Sequence, residues 1–390
     1  MPEQLVNHFT VEYQYPVCWG KQIFRGKDQT LERFLREARL APRPLPILVF
    51  IDDGFAAAWP QISDEVSNWC QAHAELVSLR GAPVLLPGGE SCKDGLSSVQ
   101  KVIAIAQKAH LCRHSQIWVI GGGAFLDAVG LGAALFHRGV GLLRFPTTTL
   151  SQCDSGVGVK NGCNIDGVKN LAGVFAPPVG VINDPEFLTT LAQRDWLAGV
   201  AEAFKVAITQ DEKFLHWLAK QGDKLRERNL PAMTEMVQRC AALHLRHIQH
   251  GGDPFEHGSA RPLDFGHWSA HKLESMSNFA INHGEAVSIG IAVDLKYAAA
   301  KGLISKMDND FCLTAMENCG LPSKNKIMLE KNSDGKIKLL EGIAEFREHL
   351  GGKLQVTLPN KLGRKIEVEE MDEELLEKII KQTLNEKISP

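Results

Sequence analysis

Three residues far apart in the chain offer one carboxylate and two imidazoles. Glu202 sits in a helical stretch, AGVAEAFKVAI, while His267 and His283 flank a helix-like segment in GHWSAHKLESMSNFAINHGEAV. That set suits Zn²⁺ held with positions left open, so that the ion can polarise a substrate hydroxyl or carbonyl; Co²⁺ or another divalent ion could use the same donors. Fourteen histidines will place some beside glycines by chance, and any one of them taken alone is more often structural than a ligand. His244, His247 and His250 recur in steps of three and run straight into Gly251-Gly252, which reads as a solvated or substrate-facing helix end.

Phosphate chemistry is suggested twice. Gly121-Gly122-Gly123-Ala124-Phe125-Leu126-Asp127 follows the apolar run Ile-Trp-Val-Ile and enters a helical pattern. Glycines there let the backbone approach a pyrophosphate, and free helix N–H groups attract its charge. Leu126 stands where GxGxxG would place its third glycine, so this motif alone also fits a simple turn. Residues 138 to 170 then gather Arg138, Lys160, Lys169 and Asn170 around Asp154, in a stretch punctuated by Gly156, Gly158, Gly162 and Gly167. Such a Gly-rich loop could neutralise a phosphate dianion with amides and ammonium groups, or be a solvated basic loop.

The elements that must position these groups change character along the chain. Residues 47 to 51 and 117 to 120 are short apolar runs, as expected of parallel strands buried on both faces, and 62 to 80 and 94 to 112 carry helical spacing between them. This alternation predicts a doubly wound, Rossmann-like α/β domain over residues 1–184, with its ligand beyond the carboxyl ends of the strands. Past Asp184-Pro185 long 3.6-residue stripes predict a helical domain over 185–390, closed by an amphipathic helix over 372 to 387.

Composition narrows the function. Lys and Arg total 43 against 46 Asp and Glu, giving a net charge of -3 and no broad basic field for nucleic acid or an anionic membrane. With 44% apolar and 23% charged residues the chain is expected to fold around ordinary cores. No apolar run reaches the roughly 20 residues of a membrane span, and the first residues look unlike a signal peptide, so a cytoplasmic location is expected. Nine cysteines without a CxxC suggest reduced thiols.

From about residue 45 to 360 the chain resembles the dehydroquinate synthase family, more broadly the sugar phosphate cyclases. The family's GGGxxxD turn is matched at Gly121 to Asp127, its Arg-Gly pair at Arg138-Gly139, and its PTTLLAQVDSSVGGKTGVN run by PTTTLSQCDSGVGVKNGCN from Pro146 to Asn164. The KN pair follows at Lys169-Asn170, AExxK at Ala201 to Lys205, GHxxxH at Gly266 to His271, and HGEAV at His283 to Val287. The resemblance implies Zn²⁺ on Glu202, His267 and His283. It implies NAD⁺ against Asp53, Glu90, Lys93, Gly122, Gly123, Asp127, Thr147, Thr148 and Lys169. A phosphorylated sugar or keto acid would be surrounded by Asp154, Lys160, Asn170, Lys205 and His271, with Lys160, Asn170 and His271 near its phosphate. Arg138 would reach the phosphate of a neighbouring subunit, so a homodimer is implied. The implied chemistry is transient oxidation by NAD⁺, β-elimination of phosphate, return of the hydride, ring opening and intramolecular aldol closure, a redox-neutral carbon–oxygen lyase.

The sequence also departs from the dehydroquinate synthases. Where they read LRxLLNxGH, this chain has Ala260-Arg261-Pro262-Leu263-Asp264-Phe265-Gly266-His267, so an Asn becomes Asp264, and the family's preceding Lys appears as His244 or Arg246. Both family residues help hold a substrate carboxylate, which an anionic Asp264 would repel. GVK for GGK, and EFREHLGG with its Arg347, look more like the cyclases acting on sedoheptulose 7-phosphate, although those usually lack a histidine such as His271. Two other classes compete: an iron-type polyol dehydrogenase, which has no use for phosphate clamps, and a catalytically silent binding relative, which would lack a metal ligand.

Overall fold

A computed structural model describes residues 4–38, 43–255 and 262–385. The first part of the chain runs β1 (Val17–Trp19), α1 (Thr30–Glu37), β2 (Leu45–Asp52), α2 (Asp53–Ala58), α3 (Ile62–Ala72), β3 (Val77–Leu79), β4 (Val84–Leu86), α4 (Ser97–Lys108), β5 (Gln116–Gly121), α5 (Gly123–Leu135), β6 (Gly141–Pro146), β7 (Lys160–Ile165), β8 (Val168–Phe175) and β9 (Gly180–Asn183). A seven-stranded, wholly parallel sheet is ordered β1-β9-β6-β5-β2-β3, with β4 also on β2.

β2 and β5 are apolar without alternation because both sheet faces are covered. Ile47, Val49, Ile51, Trp118 and Ile120 pack with Phe24, Val66 and Trp69 on one side; Leu48, Phe50, Ile117 and Val119 pack with Val102, Phe125 and Val129 on the other. From β2 the chain winds through α3 to β3, and from β5 it winds the opposite way through α5 to β6. The crevice between the carboxyl ends of β2 and β5 is therefore the topological switch point.

The second part is built from α6 (Gln193–Gln210), α7 (Glu212–Arg226), α8 (Leu230–His250), α9 (His267–Met276), α10 (His283–Ala300), α11 (Lys306–Asn318), α12 (Glu341–His349) and α13 (Glu373–Asn385). α6 and α10 are buried along most of their length, and α6 carries Glu202 and Lys205 into that interior. Two glycines allow the closest approaches: a Cβ on Gly284 would lie 2.4 Å from Ala198 Cα, and one on Gly290 would lie 2.0 Å from Gly266 O. These contacts press the start of α10 against α6 and the start of α9 against α10. α13 buries Leu376, Ile379 and Ile380, the stripe expected of the closing helix.

Three local expectations are corrected. The helical pattern over 62 to 80 breaks after α3, because Val77–Leu79 pairs with Leu45–Ile47 as a sheet strand. The Gly-rich stretch from 138 to 170 is not a loop; it holds β6, a π-type turn (Ser151–Ser155) and the start of the antiparallel hairpin β7–β8. The half read as helical also carries the hairpin β10 (Val356–Lys361) and β11 (Arg364–Val368). All nine cysteines are free, and among the described residues no helix is long and apolar enough to cross a membrane.

Candidate active site

Helix starts create the metal corner. His267 opens α9 just after Gly266, whose φ of +79° turns the chain sharply, and Gly266 N–H and Trp268 Nε1 both donate to Asp294, at 3.0 and 2.8 Å. Burial pushes the Asp294 carboxyl up to about 7. His283 opens α10 behind the Asn282 cap, in a capping box with Glu285. One ligand atom from each of Glu202, His267 and His283 lies within 4.8 Å of the others. Glu202 Oε1 is 3.2 Å from His283 Nε2 and 3.8 Å from His267 Nε2.

This corner fits a divalent ion. Glu202 is fully buried, and neither of its carboxylate oxygens has a hydrogen bond of good geometry, although Lys205 ion-pairs with it from the next turn. A buried carboxylate left this way is costly unless a cation meets it. The imidazoles are oriented for the same purpose. His267 Nδ1 donates to Phe265 O at 3.1 Å and His283 Nδ1 to Glu274 Oε2 at 3.2 Å, which leaves each Nε2 facing Glu202. Burial and the Lys205 charge hold His267 well below the usual imidazole range. Burial also works against a charged His283, but Glu274 and Glu202 outweigh it and raise the group to about 10. Burial is likewise outweighed at Glu274, which His283 and Lys169 hold down to about 2.

A cleft of about 430 Å³ opens beyond the carboxyl ends of β2 and β5. Gly122 and Gly123 begin α5 there, and Gly123 has no room for a side chain because a Cβ would meet Ser155 Oγ at 2.4 Å. Glu90, Lys93, Asp127, Thr148 and Lys169 line the same cleft. Lys93 Nζ donates to Asp127 at 2.8 Å and to Asn170 at 2.5 Å; Lys169 Nζ lies 2.7 Å from Glu274 and 3.5 Å from Glu90. Thr147 is buried beneath, donating its N–H to Gly121 O. The neighbour of an expected residue takes its place at the wall: Asp52 lines the cleft, whereas Asp53 is exposed at the start of α2 and accepts from Gly88 N.

A smaller pocket of about 200 Å³ joins this cleft through Asp127, Ser155, Asn170, His271 and His283. Asp154, Lys160, Lys205, His244 and Asp264 complete its walls. Burial opposes the charge on Asp154, but Lys205 at 3.7 Å and His244 at 2.9 Å outweigh it and hold the carboxyl well below its usual range. Burial would lower Lys205, yet Asp154, Glu202 and Asp264 keep it above its usual value. Arg144, fully buried on β6, donates to the carbonyls of Gly156, Gly158 and Lys160 and so fixes the segment carrying Asp154 and Lys160.

Not every expected residue arrives. Arg347 is exposed on α12 and Arg261 lies outside the described residues, while Arg138, expected to serve a neighbouring subunit, lines a separate hollow with Tyr13 and Phe175. Between the two candidates for the missing Lys, His244 faces the pocket while Arg246 is exposed. Sequence reasoning missed Glu274 and Ser155. Glu274 lies two helical turns after His267, a same-face spacing that could have flagged it; Ser155 gave no such signal.

The chain is similar to known proteins over most of its length. Residues 83–198 match the model of the 3-dehydroquinate synthase N-terminal region, and 199–339 that of its C-terminal region. A 3-dehydroquinate synthase from Pseudomonas savastanoi pv. phaseolicola is 33% identical over 298 residues, covering 76% of this chain and 78% of that protein. Among solved structures, 2-epi-5-epi-valiolone synthase from Streptomyces hygroscopicus subsp. jinggangensis, with NAD⁺ and Zn²⁺ bound, superposes with a TM-score of 0.83 at 25% identity, covering 98% of this chain and 99% of that one. A 2-deoxy-scyllo-inosose synthase with carbaglucose-6-phosphate, NAD⁺ and Co²⁺ shares the fold at TM-score 0.75 and 20% identity, covering 94% and 96%.

Proposed function

Since the chain belongs to the 3-dehydroquinate synthase family and is a sugar phosphate cyclase, a carbon–oxygen lyase, we propose that its substrate is a phosphorylated ketose without a carboxylate, of the sedoheptulose 7-phosphate type. NAD⁺ and a divalent metal, Zn²⁺ by preference, are its proposed cofactors. Residues 1–184 supply most of the cofactor cleft, and 185–390 the rest of its wall, the metal ligands and part of the substrate pocket. The observation that carries the substrate choice is the pocket wall where the dehydroquinate synthase resemblance places an Asn and a Lys: it presents Asp264 and His244, and His244 is already bound to Asp154. No lysine or arginine stands at those two positions to receive a carboxylate, and Asp264 repels one. The competing keto acid phosphate is favoured by the names of the relatives.

In this reading, Glu202, His267 and His283 hold the metal, whose role when bound is to polarise a carbinol oxygen for reversible hydride exchange with the nicotinamide. Lys205 neutralises the anionic corner made by Glu202 and Asp154 and offers its ammonium to substrate oxygen. Asp154, kept ionised, accepts from a substrate hydroxyl. Lys160, Asn170 and His271 grip the phosphate until it leaves, and this clamp holds the leaving group beside the C–H that must be deprotonated. Arg138, placed away from this chain's own pocket, fits a role in a second subunit's site and hence a homodimer.

The test is incubation with NAD⁺, Zn²⁺ and either sedoheptulose 7-phosphate or the seven-carbon keto acid phosphate, reading free phosphate and product mass. Release from the carboxylate-free ketose phosphate alone is expected; release only from the keto acid phosphate reverses the substrate choice. Asp264→Asn should raise kcat/KM toward the carboxylated compound by about tenfold, one unit of like-charge penalty removed.

A further inference from the structure

The metal corner and the cofactor cleft are joined by one continuous chain of charged contacts. His283 Nδ1 is 3.2 Å from Glu274 Oε2; the other oxygen of that carboxylate accepts from Lys169 Nζ at 2.7 Å; and Lys169 reaches Glu90 at 3.5 Å in the cofactor cleft. Glu274 is almost wholly buried, with 3% of its side chain exposed, so these two partners divide its charge between them. Lys169 is more open, at 23%, and projects from the hairpin β7–β8 into the cleft.

We propose that Glu274 is a positioning residue that couples cofactor binding to metal binding through Lys169. The inference rests on the reading of Glu202, His267 and His283 as a metal site. In the free protein the Lys169 ammonium draws on the Glu274 carboxylate. An anionic pyrophosphate in the cleft draws Lys169 toward itself, and Glu274 then gives more of its charge to the His283 N–H. A more strongly held N–H makes the opposite ring nitrogen a better donor to a cation. The two ligands therefore bind with positive coupling, equal in both directions.

The full-length protein, stripped of metal, is titrated with Co²⁺ by visible absorption, with and without saturating NAD⁺. NAD⁺ should tighten Co²⁺ binding about 5–20-fold, within the usual range of coupling between sites. Glu274→Gln should weaken Co²⁺ about 10–100-fold and remove the NAD⁺ effect, while NAD⁺ binds the metal-free variant at least as tightly as the metal-free natural protein, because Lys169 is no longer held by Glu274; that retained binding also shows that the fold survives. Lys169→Met should bind Co²⁺ without NAD⁺ as tightly as the natural protein does with it, and gain little more when NAD⁺ is added. Unchanged Co²⁺ affinity in Glu274→Gln, or a natural protein that takes up Co²⁺ indifferently to NAD⁺, overturns the coupling and leaves the metal site standing. Failure of the natural protein to bind Co²⁺ at all removes the metal reading and the coupling with it.

Discussion

The sheet half and the helical half both deliver functional groups to one pocket, but they hold them in opposite ways. From the sheet come strand ends, a glycine-rich helix start and a hairpin: Lys160 is exposed, Lys169 and Glu90 are partly so, and the peptide groups of Gly122 and Gly123 face the cleft. From the helices come side chains sealed in a core: Glu202 has no exposed surface, Lys205 2%, and His267 and His283 stand on the first turns of helices pressed together through Gly284 and Gly290. A cofactor and a phosphorylated substrate must enter and leave, which suits groups at an open edge. A resident cation needs fixed donors and little water, which suits buried helix ends.

The sharpest break of this contrast is Glu202→Gln. Losing the one anionic ligand should strip the metal and reduce turnover to background, and metal analysis of the purified variant checks it; retained metal with activity refutes the ligand assignment. Next comes a stability test confined to the helical side. Asp294 has a folded pKa near 7, raised by burial above its ordinary 3.8, so its neutral form belongs to the fold. Its contribution is fully present below about pH 4 and is lost as pH rises through 7, a change of up to about 4 kcal/mol. Denaturant titrations from pH 4 to 7 should show that slope in the natural protein and a flatter profile in Asp294→Asn; equal slopes would show that Asp294 is not the group responsible. The mildest is at the open edge. Lys160→Ala should lower kcat/KM by roughly 10–100-fold, as expected for one charge-assisted contact, with metal content unchanged. A variant that lost its metal would contradict the separation of the two halves.

Much of the site is readable in the chain because its chemistry depends on residue type and local spacing. GGGAFLD must start a helix after a strand, and AEAFK places Glu202 and Lys205 one turn apart whatever surrounds them. The failures share a cause. The resemblance implies Asp53 as a cofactor contact, yet Asp52 lines the crevice, because the pairing of β2 in the sheet decides which of two adjacent aspartates at a strand end faces inward. Residues 62 to 80 looked helical throughout because the pairing of Val77–Leu79 with β2 is a long-range contact that no window contains. The choice between His244 and Arg246 stayed open for a similar reason: two residues apart on a helix point in different directions, and only packing against the turn bearing Asp154 selects one.

The sequence by itself therefore determined which groups exist, the parallel winding that creates a crevice, and the helical character of the second half, since these follow from hydrophobic periodicity and motif order. Tertiary structure decided convergence. Glu202, His267 and His283 lie up to 81 positions apart and meet within 4.8 Å, where Gly284 lets α10 touch α6 and Gly290 lets it touch the turn that starts α9. It also decided the charges those groups carry, because the pairing of His283 with Glu274 and of Asp154 with Lys205 depends on burial and distance, which residue order does not encode.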